Sequence, residues 1–418
     1  MQVCIHRGTH EIGGTCVEIE SQGRRIVLDV GLPLETEPAD VPLPPVAGFA
    51  KTDPSLLGVV ISHPHLDHYG LAHKLPHGTP ILIGSAAEKI LNAASVFVPG
   101  EVRFDNVVHL QDRTRIALGP FTITPFLMDH SAYDAYAILV EADGQRLFYS
   151  GDLRAHGRKG KLFERLVAHP PENVDVLLME GSTIGRTGED NEYPTEAELE
   201  KCFEQLFAET KGLALVWCSG QNIDRIVTLY RAARHMKKQF VVDMYTASVL
   251  RAIGNPKLPQ PGFAGFRVFL PWTQKQTIRR KKLFDLAASF KTARIYPENL
   301  AGEAGKSVML FRPSMIKDLE KAECLAGARM VYSLWGGYLK DDRQQRFLAW
   351  LEQHGIPMTH CHTSGHAPVA DLKRLAQALA PRVLVPIHSA AAERFHELFD
   401  KVQQKRDGQW WTVQRESW

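Results

Sequence analysis

The sequence predicts an α/β fold in which one domain is interrupted by a second, smaller parallel-sheet domain. Three observations carry this reading. Short apolar runs of strand length end in polar, metal-ligand-type residues, and strand ends are where open α/β sheets place their chemistry. From about residue 190 to 354, strand-like and helix-like patterns alternate, which is the signature of βαβ units. The last residue of the polar set, His388, follows only after that alternation has ended, so the alternating stretch reads as an insertion. With 418 residues, 44% of them hydrophobic, the chain is long enough for two full cores.

In the first domain the apolar run 57–62 reads as a buried strand, and His63, His65, Asp67 and His68 follow it directly. Neutral imidazole nitrogen and carboxylate oxygen together suit Zn²⁺ or a similar divalent ion. His63 and His65, two residues apart, form one pair, and the Asp67–His68 pair behind them can serve a second ion. Four further runs deliver candidates of the same kind. Run 25–31 ends around Asp29, run 121–130 delivers His130, run 146–152 delivers Asp152 after Gly151, and run 383–388 delivers His388. A single histidine at a strand end is more often structural; the shared setting is what makes these residues a set. His6 and His10, in an early loop, and His360 and His362, alternating along a late strand, read as packing or surface residues.

The second domain opens at Pro194 with the capping-box pattern Thr195–Glu198. Leu199, Cys202, Phe203, Leu206 and Phe207 then recur at helical spacing. Strands are expected at 213–218, 240–243, 308–311 and 330–334, helices at 223–236 and 342–354, and a Gly/Pro-rich loop at 254–262. The expected boundaries are 1–187 for the first part of the outer domain, 188–357 for the insert and 358–418 for the return.

Composition narrows the function classes. A net charge of +2 excludes a histone-like polyanion binder, so any grip on nucleic acid must be local. The cysteines at 4, 16, 202, 218, 324 and 361 contain no C-x-x-C pair, which favours reduced thiols over disulfides. No apolar run approaches the ~18 residues of a membrane span, and the N-terminus lacks a signal core. A cytoplasmic protein with no membrane partner is expected.

Asp29, the His63-to-His68 block, His130, Asp152 and His388, taken in order, resemble the five motifs of the metallo-β-lactamase superfamily. The resemblance implies an αββα sandwich with two Zn²⁺ ions, or Mn²⁺ in their place. One ion would take His63, His65 and His130, the other Asp67, His68 and His388, with Asp152 bridging and Asp29 orienting the ligands by hydrogen bonds. Such a pair holds a hydroxide that is nucleophilic at neutral pH. Glu180-Gly181-Ser182-Thr183, Ser364-Gly365-His366-Ala367 and Pro386-Ile387-His388 further resemble motifs A, B and C of the β-CASP branch, the ribonuclease J and cleavage-and-polyadenylation endonuclease group. That branch implies a zinc-dependent phosphodiesterase hydrolysing RNA, endonucleolytically or from the 5′ end, with Asp67, Asp152, Glu180 and His366 as the catalytic set. A DNA nuclease of the Artemis type is the alternative, and a small-molecule metallo-hydrolase would share the metal site but lack the insert.

The same resemblance suggests substrate contacts at Ser219, Gln221 and Asn222 and at Ser364 and Gly365, single-stranded RNA as partner, and a homodimer as one assembled form. The basic run containing Arg279, Arg280, Lys281 and Lys282 reads equally as a phosphate grip or a solvated helix face. Tyr332, Trp335 and Tyr338 read equally as a stacking surface or as core.

Overall fold

The computed structural model describes residues 1–34, 36–98, 103–186 and 192–413. The chain divides into two units. The first comprises Met1–Asn92, Gly100–Tyr193 and Gly365–Trp418, and the second Ala93–Pro99 and Pro194–Ser364.

Strands β1 (Gln2–Arg7), β2 (Cys16–Ser21), β3 (Arg24–Leu28), β4 (Leu56–Val60), β5 (Ile81–Gly84) and β6 (Val107–Leu110) come first along the chain. They are followed by β7 (Ile116–Leu118), β8 (Phe121–Met128), β9 (Ala135–Ala142), β10 (Gln145–Tyr149) and β11 (Val176–Glu180). The second unit holds β12 (Ala214–Trp217), β13 (Gln239–Asp243), β14 (Phe266–Phe269), β15 (Ser307–Leu310), β16 (Arg329–Tyr332) and β17 (Met358–His360). Strands β18 (Val383–Ile387) and β19 (Trp410–Thr412) return to the first unit.

The first unit contains a seven-stranded sheet in the order β19-β1-β2-β3-β4-β5-β6 and a six-stranded sheet in the order β18-β11-β10-β9-β8-β7. Side chains alternate in strands, so each strand serves two cores. Leu147, Tyr149 and Leu178 point inward and join Val17, Ile26, Leu28 and Val60 of the other sheet in one core. Phe148, Leu177 and Met179 point outward and meet Phe163 and Leu166 of helix Gly160–Ala168 and Leu372 and Leu375 of helix Val369–Leu379. On the far side, Val27, Val59 and Ile81 meet Ala87 and Leu91 of helix Ser85–Ala94. The result is the αββα sandwich. Burial on both faces explains why these strands read as unbroken apolar runs. Each fully buried aliphatic side chain contributes about 1.5–3 kcal/mol.

Register brings the site residues together. In the parallel pair β3–β4, Leu28 faces Val60, so Asp29 follows directly beside the loop that leaves β4. In the parallel pair β11–β18, Glu180 faces Ile387, one residue before His388.

The second unit is a wholly parallel sheet in the order β14-β13-β15-β12-β16-β17. The capping box forms as expected: the Thr195 hydroxyl accepts from Glu198 N–H and the Glu198 carboxylate accepts from Thr195 N–H. Two boundaries differ from the sequence reading. Strand β17 pairs with β16, Met358 against Met330, so the chain returns to the first unit at Gly365 rather than 358 and leaves it at Pro194. Segment Ala93–Pro99 also clusters with the second unit, where Phe97 meets Tyr245 edge to face. Helix Met244–Ile253, not among the expected elements, buries eight of its ten residues, so it lacks the broad polar face by which a surface helix is read. Among the described residues, no helix is long and apolar enough to cross a membrane.

Arg225 is fully buried in this unit, its guanidinium held by Glu196 at 3.0 Å and by the Ser333 carbonyl at 3.3 Å. Glu196→Ala leaves that cation buried without its counter-ion, and the expected loss of stability is about 3–5 kcal/mol. Urea unfolding followed by circular dichroism checks this, and the double substitution Glu196→Ala/Arg225→Met should recover much of the loss.

Candidate metal centre

The loop leaving β4 is compact because a one-turn helix, Leu66–Tyr69, starts inside it with His65 at its N-cap. Asp67 and His68 therefore project from helix rather than from open loop. The strand-end segment 29–32 runs directly beneath: Val30 N–H donates to the His68 carbonyl and Leu32 N–H to the Leu66 carbonyl. Gly31 makes this approach workable, since a Cβ there would lie 1.8 Å from the Asp67 carbonyl oxygen.

Two donor sets result, each with its donor atoms within 4.8 Å of one another: His63, His65 and His130, and Asp67, His68, Asp152 and His388. Asp152 lies between them. Its Oδ2 is 3.6 Å from His63 Nε2, 3.2 Å from His68 Nε2 and 3.7 Å from His388 Nε2. His388 Nε2 is also 3.6 Å from Asp67 Oδ2, and His130 Nε2 is 3.2 Å from His65 Nδ1. Gly151 enters at φ +53, where a Cβ would lie 2.7 Å from the Tyr136 carbonyl, so the chain can bring Asp152 in close to β9.

The donor set fits a pair of divalent cations. His63 Nε2, His68 Nε2, His388 Nε2 and both Asp152 carboxylate oxygens are buried without an aligned hydrogen-bond partner, an arrangement protein interiors otherwise avoid. Burial drives the imidazoles of His63 and His130 well below their ordinary range and His65 down to about 4, so all three offer neutral nitrogens. Burial also lowers His388. For His68, burial alone would act the same way, but the carboxylates of Asp152, Asp29 and Asp67 outweigh it and hold the ring well above the usual value. A cation entering there displaces a proton. Burial opposes ionisation of Asp152 too, yet the surrounding imidazoles hold it well below the usual carboxylate range.

His68 and His388 are fixed from behind. His68 Nδ1 lies 2.8 Å from Asp29 Oδ2, and the same carboxylate accepts from Ser62 N–H, the Ser62 hydroxyl and the Tyr149 hydroxyl. Asp29 does this from φ +58, a left-handed conformation that aspartate tolerates better than most residues. His388, at φ +51, has its Nδ1 2.8 Å from the Thr15 hydroxyl, and its N–H donates to the Gly8 carbonyl. Gly13 N–H also points at this Nδ1, from 3.4 Å, so the Nδ1 edge faces Thr15 and Gly13 while Nε2 faces Asp67 and Asp152 as the ligand atom. Sequence reasoning missed Thr15.

Glu180 and His366 form a separate pair. His366 Nδ1 lies 2.9 Å from Glu180 Oε2 and 3.8 Å from Asp152 Oδ2. Leu153 N–H and the Ser182 hydroxyl donate to the Glu180 carboxylate. Burial would lower His366, but Glu180, then Asp152 and Asp67, push it up to about 9 within the protein alone. Gly365 packs against His130, a Cβ there lying 2.6 Å from the Ser131 hydroxyl and 3.5 Å from His130 Cε1.

The remaining candidates lie elsewhere. His6 pairs with Glu18 at 2.8 Å and His10 with the Thr9 hydroxyl. Ser219, Gln221 and Asn222 are in the second unit. There Asn222 caps helix Ile223–His235, Gln221 donates to the Tyr245 hydroxyl, and Ser219 accepts from Gln221 N–H. Ser364 closes the second unit. The exposed His360 donates to the Leu334 carbonyl, while burial and Arg225 push His362 down to about 3. Tyr332 is buried core, whereas Trp335 and Tyr338 are exposed and meet edge to face at 5.3 Å. Arg279 and Arg280 are exposed on the last turn of helix Trp272–Lys281.

Comparison with known proteins agrees with this architecture. The profile of the β-lactamase superfamily domain matches residues 24–202. Proteins named ribonuclease J are similar over most of the chain. That of Sinorhizobium meliloti is 23% identical over 88% of this chain and 64% of its own length, and that of Synechocystis is 24% identical over 91% and 59%. That of Mycobacterium tuberculosis is 24% identical over 93% and 68%. The chain thus spans about three fifths of the first two relatives. A solved structure, a protein of unknown function from Enterococcus faecalis V583, superposes with a TM-score of 0.79 at 20% identity, covering 98% of this chain and 99% of that one. The profile match, the sandwich and the order of the donor residues agree on a β-lactamase-superfamily domain within the first unit.

Thr15→Val removes the hydroxyl behind His388 while keeping the side-chain shape. Affinity for the second divalent cation should fall roughly 10–100-fold, the first cation should remain, and Thr15→Ser should restore the pair. Zinc titration with elemental analysis reads the stoichiometry directly.

Proposed function

We propose that the chain is a β-CASP ribonuclease that uses two zinc ions to hydrolyse RNA phosphodiesters. The observation that carries this reading is the position of Asp152, within 4 Å of donors from both sets and of His366. His63, His65 and His130 would hold one ion and Asp67, His68 and His388 the other, with Asp152 facing both. Bound there, the ions supply Lewis-acid charge at the phosphoryl group and lower the pKa of the attacking water.

The protein's own groups do the rest. Asp29 and Thr15 keep two imidazoles aimed, which avoids reorganisation during reaction. Glu180 grips His366 through Nδ1, so this ring can donate to a phosphoryl oxygen or hand a proton to the leaving alkoxide. Leu153 N–H and Ser182 hold Glu180 in that orientation. RNA as the substrate is supported by the names of the relatives, and the parallel-sheet insert supports a polynucleotide over a small molecule. The cysteines are all unpaired, in keeping with a cytoplasmic setting.

The deciding experiment incubates the zinc-loaded full chain with end-labelled single-stranded RNA and DNA of one sequence. A product ladder or released mononucleotides from RNA, well ahead of DNA, is expected; faster DNA cleavage, or none of either, overturns the reading. His366→Ala should lower RNA turnover roughly 10²–10⁴-fold with both metals retained. Loss of zinc from that variant would instead make His366 a ligand. Asp67→Ala should abolish cleavage and reduce bound zinc from two ions per chain to one, read by elemental analysis.

A further inference from the structure

Helix Trp272–Lys281 and its cap Lys282 carry five cations, Lys275, Arg279, Arg280, Lys281 and Lys282, and no carboxylate. That exceeds the net charge of the whole chain, +2. Lys281 donates to the Ser95 carbonyl within the same unit. Lys275, Arg279, Arg280 and Lys282 are exposed, and among the described residues none of them forms an ion pair. Gln274 and Ile278 bury the inner face of the helix. Trp272, Lys275 and Arg279, spaced i, i+3, i+7, share an exposed face beside it. Trp272 is 61% exposed at one end of the basic stretch and Phe284 60% exposed just past the other.

The bland account is the helix dipole, which favours cations on the last turn. It covers Arg279, Arg280 and Lys281 but neither Lys275, a turn and more earlier, nor a solvent-facing indole beside it. Exposed aromatics flanking a run of unpaired cations suit a single strand, where bases are free to stack beside phosphates that follow at short intervals.

We propose that this helix is an accessory grip for single-stranded nucleic acid, in which Lys275, Arg279, Arg280 and Lys282 contact phosphates and Trp272 stacks on a base. The choice of RNA rests on the function proposed above; the choice of a single-stranded, base-exposing polyanion rests on the helix itself.

The test measures binding of a phosphorothioate-linked single-stranded RNA to the zinc-loaded full chain across a salt series. In Lys275→Gln/Arg279→Gln/Arg280→Gln/Lys282→Gln, the slope of log K against log salt should shrink by roughly 0.7 for each phosphate no longer neutralised. Trp272→Ala should weaken single-strand binding about tenfold with the slope kept, and should leave binding to the matching duplex unchanged. All five side chains are exposed, so thermal melting should not move. An unaltered slope in the quadruple variant overturns the proposal. So does a Trp272→Ala effect equal on single strand and duplex, or one reproduced on anionic phosphatidylglycerol vesicles. A chain that cuts RNA yet shows an unaltered slope refutes the grip and keeps the ribonuclease reading; one that binds through this face without cutting does the reverse.

Discussion

The structure is organised around one buried anion. The Asp152 carboxylate is out of water with both oxygens lacking an aligned hydrogen-bond partner, and His63, His68, His366 and His388 all approach it. Removing a carboxylate from water costs several kcal/mol even after relaxation, so its surroundings must return that energy as positive charge or coordination. The His63–His68 loop, Asp152 and His388 leave β4, β10 and β18, strands of the first unit's two sheets, whose register holds those ends. His366 comes from the turn after Gly365.

Convergence alone would leave the rings free to rotate. Orientation comes from the atoms on their far sides: Asp29 behind His68, Thr15 behind His388, Ser62 behind His63 and Glu180 behind His366. Two of these arrangements require backbone in the left-handed region, at Asp29 and His388. Strain of this kind costs of order 1–3 kcal/mol at each position and persists only where neighbouring contacts over-determine it. Here the neighbours are the Val60 carbonyl, which accepts from Asp29 N–H, and the Gly8 carbonyl, which accepts from His388 N–H.

The donors themselves were legible in the sequence because coordination chemistry accepts few residue types, and His63-Pro64-His65-Leu66-Asp67-His68 concentrates them at one strand end. Glu180 and His366 were legible only through their motifs; that they touch depends on the β11–β18 register and on the turn at Gly365. Thr15 was illegible. A threonine after two glycines is ordinary, and its role exists only because His388 turns back toward it from a strand hundreds of residues later. The insert was visible as βα alternation, but its exit was misplaced because the short β17 gives no local sign of which sheet it will join. Asn222, suggestive of substrate contact in the sequence, also accepts from Arg225 N–H and caps a helix, a role its motif does not announce.

The insertion also fixes an order of assembly. The parallel sheet of the second unit lies within one continuous segment, its most distant pairing being Ala214 with Arg329, so all its strands are made before the chain returns to the first unit. The outer sandwich, by contrast, pairs Val176 with Val383 and Gln2 with Thr412. During synthesis β11 must wait as an open edge while the whole insert is made, a state prone to stray pairing. The second donor set, Asp67, His68, Asp152 and His388, stays incomplete until the insert has been made, so three of its donors wait on the return of the chain for the fourth.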